Sequence, residues 1–145
     1  MQNNLDPMDN FYLELSGLIC AKVTSKRDLL RIIEQGIPPQ SVYNLVELWG
    51  GGIHTEWFIS KRTLARRLAQ HQVLKQDETA AVVRFASVLL AAIDVFGSKE
   101  KAITWLKRVH PSLHHNLSPL ELCLFDEGAL WVFERMHAID YGFGA

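Results

Sequence analysis

Cysteine, long apolar runs and a leader segment are scarce or missing in this sequence. Its two cysteines, Cys20 and Cys123, lie far apart and outside any CxxC spacing, which favours buried free thiols in a reducing compartment. Residues 80–96 form the longest apolar-rich stretch, but charged and polar residues interrupt it, and a bilayer span needs about 20 mostly apolar residues. The first residues lack the cationic and apolar regions of a secretory signal. These absences predict a cytoplasmic protein without a membrane partner.

Catalytic motifs are also missing. The sequence has no glycine-rich phosphate loop, no nucleophile elbow and no HExxH zinc motif, and the contiguous glycines at 50–52 do not match GxGxxG. His110, His114 and His115 flank Pro111, but the proline predicts a polar loop and no cysteine or carboxylate completes a zinc ligand set. We therefore expect no enzyme, no metal and no cofactor.

Neither sign of charge dominates the chain, since its 145 residues carry a net charge of −1, but the charge is unevenly distributed. Residues 1–76 carry a net charge of +2 and residues 77–145 a net charge of −3. Residues 57–76 contain five Lys or Arg and no acid. Such a run indicates either a nucleic-acid face or an ordinary solvated helix face.

Helix signals dominate from residue 25 onwards, and they predict an all-α fold. The predicted N-terminal signals are Ser25, Pro38-Pro39, Ser60, Asp77, Ser98, Ser118 and Asp126-Glu127-Gly128. Ser118 opens a capping box with Glu121 three residues later, and proline follows at the first helical position. We predict helices over 61–71 and 129–139, among others. Residues 1–10 are predicted to be a loose arm. Residues 11–23 alternate as a short strand would, but such a strand would have no partner elsewhere in the sequence, so we predict irregular structure or one helical turn there.

A short helical turn at 54–58, a bend and a basic helix together suggest a helix-turn-helix. In that motif the second helix enters the major groove, where arginine reads guanine and Lys, Ser and Thr hold phosphates. Leu64 and Leu68 would seat the helix on the core. The predicted DNA-binding residues are Ser60, Lys61, Arg62, Thr63, Arg66 and Arg67.

Large apolar residues are numerous in the second half of the chain. They include Trp105, Leu124, Phe125, Leu130, Trp131 and Met136. A domain this small cannot bury everything internally, and Trp, Phe and Met are enriched at protein interfaces. The pattern therefore indicates a partner surface, while a wholly internal core remains the alternative.

A set of positions spread over residues 25–145 has a specific order and spacing. These positions are Thr63-Leu64, Arg66-Arg67-Leu68, Leu74, Glu78, Arg84, Phe96-Gly97, Ala102, Trp105-Leu106, Ser118-Pro119-Leu120, Gly128 and Gly142. With them, residues 25–145 resemble the Xre/MbcA/ParS family of antitoxins. The resemblance implies an Xre-like helix-turn-helix region at 25–73 and a helical toxin-binding domain at 74–145. Residues 1–24 lie before the matching region and are predicted to be an N-terminal arm.

The resemblance also implies two partners. One is a RES-domain toxin that consumes NAD⁺, whose pocket the antitoxin would block, and the other is operator DNA, through which the chain would repress its own operon. The residues assigned to the toxin interface are Trp105, Met136, Ile139, Asp140, Tyr141, Gly142 and Phe143. A homodimer is expected because helix-turn-helix proteins usually read repeated half-sites.

Two alternatives stay open at this point. The chain could be a stand-alone transcriptional regulator, in which case no toxin is encoded beside it. It could also be an antitoxin whose DNA-binding region is degenerate, because residues 50–59 leave room for only a short first helix of the motif.

Overall fold

The computed structural model describes residues 6–111, 113 and 116–140. In this part of the chain there are eight α-helices, one short 3₁₀ turn and no strand, which confirms the predicted all-α class. The helices are α1 Pro7–Ile19, α2 Lys26–Gln35, α3 Gln40–Trp49, α4 Lys61–Ala69, α5 Gln76–Phe96, α6 Lys99–Lys107, α7 Pro119–Leu122 and α8 Asp126–Asp140, and the 3₁₀ turn is Thr55–Trp57. The chain divides into two compact units within α5, between Ala86 and Ser87.

Serine side chains begin four of these helices as predicted. Ser25, Ser60, Ser98 and Ser118 each accept a hydrogen bond from the backbone amide three residues later, at 3.2 Å. Each bond satisfies an amide that has no partner within the first turn of its helix. Ser118 and Glu121 also form the complete capping box.

The prediction for the N-terminal segment was wrong, because residues 7–19 form α1 rather than a loose arm followed by irregular structure. The Asp6 carboxylate accepts a hydrogen bond from the Met8 amide at 3.0 Å, and Pro7 occupies the first helical position. Aspartate before proline is a strong helix start, and it outweighs the strand-like alternation that follows. Leu15 and Ile19 then share one buried face of the helix.

Three predicted helix boundaries were also wrong, namely the starts of α5 and α8 and the end of α4. The helix α5 begins at Gln76, so Asp77 lies in its first turn and is not its cap. Instead the Glu78 carboxylate accepts a hydrogen bond from the Lys75 amide at 2.7 Å, which is half of a capping box. The helix α4 ends at Ala69, two residues early, and α8 begins at Asp126, three residues early.

The helix α5 is long and apolar enough to cross a membrane by length and composition, and no other helix among the described residues is. Half of its apolar window is buried inside the protein. This burial fits the predicted core helix, since core helices of many proteins pass the same test of length and composition.

The two cysteines differ in exposure. Cys123 is buried as predicted, but Cys20 is exposed, because it is the left-handed residue that ends α1. Neither forms a disulfide.

Candidate functional site

The basic helix α4 is held at its start by a cap and by aromatic packing. Ser60 caps it and also donates a hydrogen bond from its hydroxyl to that of Thr63 at 2.9 Å. The 3₁₀ turn precedes it, and the rings of Trp57 and Phe58 lie 6.0 and 5.1 Å from the ring of Phe85 in α5. The turn predicted at 54–58 is thus present, but as a single three-residue 3₁₀ turn.

One face of α4 carries cations separated by small side chains. Lys61, Arg62, Ala65, Arg66 and Ala69 are all exposed, and the helical period places them within one continuous arc. Alanines between the cations let a ligand approach the helix backbone closely. Three of the predicted DNA-binding residues are therefore brought together on one exposed surface, which we call the α4 basic face. Lys61 also lies 3.6 Å from Glu56, but both are well exposed and such pairs contribute little.

Arg67 lies elsewhere, since its side chain is buried and forms an ion pair with Glu78. The same carboxylate oxygen accepts the Lys75 amide bond at the start of α5. This arrangement ties α4 to the beginning of α5 and withholds Arg67 from the α4 basic face. The sequence does contain a signal for this, because Arg67 is three residues after the buried Leu64 and so shares its face.

The core contact predicted for Leu68 is wrong, while the one for Leu64 is confirmed. Leu64 is fully buried, whereas Leu68 is 39% exposed at the edge of α4. Of the two leucines, only Leu64 packs α4 against the core. The ion pair between Arg67 and Glu78 adds a second contact, to α5.

Two of the predicted toxin-binding residues belong to the interior. Trp105 is 7% exposed and Met136 is 2% exposed. The ring of Trp105 lies between those of Phe96, at 5.2 Å, and His110, at 4.9 Å. His110 also donates from Nε2 to the Trp105 carbonyl oxygen at 2.8 Å, so this histidine has a structural partner. Both side chains are therefore covered by the second unit itself, and their role in toxin binding stays a prediction.

The other predicted toxin-binding residues lie at the end of α8. Ile139 is half-buried in its last turn. Tyr141, Gly142 and Phe143, together with the side chain of Asp140, lie outside the described residues. Among the described residues, no group of His, Cys, Asp or Glu could hold a metal ion.

The helix α8 carries an exposed surface whose residues were not among the predicted toxin-binding residues. Glu127, Leu130, Trp131 and Glu134 are all exposed along one side of this helix, and we call them the α8 outer face. Beside them is an open cavity of about 430 Å³, lined by Leu113, Trp131, Glu134, Arg135 and Ala138. The apolar surplus of the second half did signal such a surface, but it did not distinguish Trp131 from Trp105.

No protein-family model matches the chain. Three curated proteins are nevertheless similar to it, and each is named antitoxin Xre. The Yersinia enterocolitica protein is 35% identical over 85 residues, which are 58% of this chain and 57% of that protein. The Photorhabdus laumondii protein is 28% identical over 116 residues, or 77% of each chain. The Pseudomonas putida protein is 31% identical over 104 residues, or 69% of this chain and 65% of that protein.

The matched regions span less than two thirds of the Yersinia and Pseudomonas proteins. By its fold, the described part of the chain belongs to the all-helical class, with a basic helix face in its first unit. Within that class, the predicted resemblance to Xre-family antitoxins is confirmed, and this chain is a relative of those proteins.

Proposed function

We propose that this chain is a cytoplasmic antitoxin that binds a protein toxin through its C-terminal half and operator DNA through α4. The observation that carries the proposal is the similarity to three proteins named antitoxin Xre over 58–77% of the chain. The absence of a known catalytic motif in the sequence fits a protein that acts by binding. The two activities would use different parts of the chain.

Operator binding is supported by the α4 basic face. Lys61, Arg62 and Arg66 are exposed together, while Ser60 and Thr63 lie at the start of the helix, where a phosphate is attracted to backbone amides. We assign Arg67 a positioning role, because its ion pair with Glu78 sets how α4 is held. Binding as a homodimer would match the repeated half-sites of such operators.

The toxin we propose is a RES-domain protein that consumes NAD⁺, as the family resemblance implies. The end of the chain, from Ile139 through Tyr141 to Phe143, would block its pocket. Aromatic side chains on a glycine-bearing segment suit a pocket that receives a nicotinamide or adenine ring. Such a block requires affinity but no chemistry.

A second candidate is an antitoxin that does not bind DNA. It is favoured by one observation, namely that a single 3₁₀ turn stands where a helix-turn-helix has its first helix. A promoter-binding assay separates the two candidates, because only the first one requires the α4 basic face.

The experiment that tests the antitoxin role is co-expression with the product of the adjacent reading frame, following growth and cellular NAD⁺. We expect that product alone to stop growth and deplete NAD⁺, and this chain to restore both. Rescue of growth without any preceding loss of NAD⁺ would keep the antitoxin role and contradict the RES assignment. A harmless neighbour, or a toxic one that this chain does not neutralise, would contradict the antitoxin role itself.

A further inference from the structure

Exposed large apolar side chains are concentrated in one short stretch of the second unit. Leu124, Phe125, Leu130 and Trp131 lie within eight residues, with exposures from 43% to 61%. In the first unit, comparable residues are distributed over α1, α2, α3, α4 and the segment after α4. Scattered exposed leucines are normal, whereas a cluster of this kind marks an interaction site.

We propose that the α8 outer face, with the cavity beside Trp131, is the surface on which the toxin docks. This inference rests on the proposed antitoxin function and specifies which surface performs it. It also replaces Trp105 and Met136, which the fold buries, with Leu130 and Trp131 as the apolar anchors.

The charge on this face defines the chemistry of the occupant. Glu127 and Glu134 lie on the same side of α8 as Leu130 and Trp131, and no Lys or Arg belongs to that set. An acidic face repels the phosphates of DNA, so nucleic acid is not its ligand. A second copy of this chain, docked through the same face about a twofold axis, would set these glutamates against each other. The occupant that fits is a protein with a basic surface and an apolar projection.

The cavity specifies the contact further. Leu113, Trp131 and Ala138 give it apolar walls, Glu134 gives it an acid, and the half-buried Arg135 also lines it. A Lys or Arg side chain of the toxin can lay its aliphatic stem on Trp131 and direct its charge to Glu134. Cations favour the face of an indole ring, and arginine is frequent at interface hot spots.

The test is a calorimetric titration of the full chain with the purified product of the adjacent reading frame. We expect the variant Leu130→Ala/Trp131→Ala to bind about 100-fold more weakly, as loss of a central aromatic anchor does. The charge-reversal variant Glu127→Lys/Glu134→Lys is expected to weaken binding about 10-fold or more, with a smaller loss at high salt. Because its substitutions are on the surface, it remains informative if the double alanine variant does not fold.

Matched controls come from the first unit. Leu13→Ala/Leu30→Ala removes two leucines that are 61% and 65% exposed, and Glu34→Lys/Glu47→Lys reverses two exposed acids. Both controls are expected to bind within twofold of the wild type.

Three outcomes would overturn the inference, and they are distinguishable. If the wild type binds and both α8 variants bind equally well, the docking surface is elsewhere and the proposed function stands. If the wild type does not bind, the antitoxin function fails and the inference fails with it. If sedimentation shows that Leu130→Ala/Trp131→Ala converts a wild-type oligomer to monomers, the occupant is a second copy of this chain.

Discussion

Two neighbouring arginines in the first unit and two tryptophans in the second unit have opposite environments. Arg66 is exposed on the α4 basic face, and Arg67, the next residue, is buried against Glu78. Trp105 is in the interior, whereas Trp131 is half exposed on α8. Within each pair the residue type is the same, and the side of the helix on which the residue lies decides whether it is exposed or buried.

The two named surfaces also differ in their chemistry. In the first unit, the α4 basic face exposes cations with alanines between them, which suits a polyanion. In the second unit, the α8 outer face exposes apolar side chains between acids, which suits a protein. Variants that affect only one unit therefore test whether these surfaces act independently.

The largest expected effect comes from adding one methyl group at a close backbone approach in each unit. A Cβ at Gly36 would overlap the carbonyl oxygen of Leu74, and the φ of Gly36, +88°, also disfavours any side chain. A Cβ at Gly128 would overlap the carbonyl oxygen of Leu122. We expect Gly36→Ala and Gly128→Ala each to lower the free energy of unfolding by about 3 kcal/mol or more. Thermal unfolding measures the loss, and hydrogen exchange should show faster amides first in the unit that carries the substitution.

Gly17→Ala is the matched control, because no atom lies within 4 Å of a Cβ added there. Alanine has a higher helix propensity than glycine in a helix interior, so this variant is expected to be as stable as the wild type or slightly more stable. Equal melting temperatures for all three variants would show that the two close approaches are not rigid.

Replacing Arg67 is expected to lower the free energy of unfolding nearly as much, whereas Arg66→Ala should leave it almost unchanged. In Arg67→Met the largely buried Glu78 side chain loses its cation and keeps the hydrogen bond from the Lys75 amide, and breaking such a pair costs up to about 3 kcal/mol. The double variant Arg67→Met/Glu78→Leu should recover part of that loss, since the charge is then gone as well. Urea unfolding of the wild type, Arg67→Met, Glu78→Leu and the double variant gives the coupling energy of the pair. Equal stability of Arg66→Ala and Arg67→Met would contradict the buried ion pair.

A smaller and separate effect is expected on operator binding. For binding to the chain's own promoter region, the logarithm of the binding constant falls linearly with the logarithm of salt concentration. Replacing Arg62 and Arg66 with alanine should make this slope shallower by about two, since each lost phosphate contact contributes about 0.9. The control Arg27→Ala/Arg31→Ala removes the same charge from α2, where both arginines are also exposed. If the control lowers the slope equally, net charge and not the α4 basic face governs the affinity.

The smallest effect concerns the start of α2. The hydroxyl and amide of Thr24 donate to the Asp28 carboxylate at 2.6 and 3.1 Å and, with Arg31 nearby, hold the pKa of Asp28 below its usual value. A lowered folded-state pKa stabilises the protein above the unfolded pKa of about 3.9, and this contribution is lost as pH falls through the folded pKa. Thr24→Val should raise the Asp28 pKa in an NMR titration, while Thr104→Val, in α6 of the other unit, should leave it unchanged.

Local signals in the sequence predicted much of the helical framework. Ser25, Ser60, Ser98 and Ser118 predicted four helix starts, because capping depends on a side chain and amides only three residues apart. The helix α1 was not predicted, because residues 1–10 are polar and residues 11–23 alternate as a strand would, and no prediction used the Asp6-Pro7 start.

The surfaces were harder to predict, because they depend on contacts distant in sequence. The partner of Arg67 is eleven residues away in the next helix, and the burial of Trp105 and Met136 depends on how a whole unit packs. Composition can say that cations or aromatics are in excess. It cannot say which of them the fold covers.

We propose that operator binding and toxin neutralisation use different parts of one chain, and growth of cells making the product of the adjacent reading frame is the measurement that tests this separation. Each chain would be expressed from a constant promoter, so that loss of operator binding does not alter its amount. We expect Arg62→Ala/Arg66→Ala to restore growth as fully as the wild type, and a chain ending at Ile139 to fail. Failure of the folded arginine variant to restore growth would contradict the separation of the two activities, and full rescue by the shortened chain would contradict the block of the toxin pocket by the end of the chain.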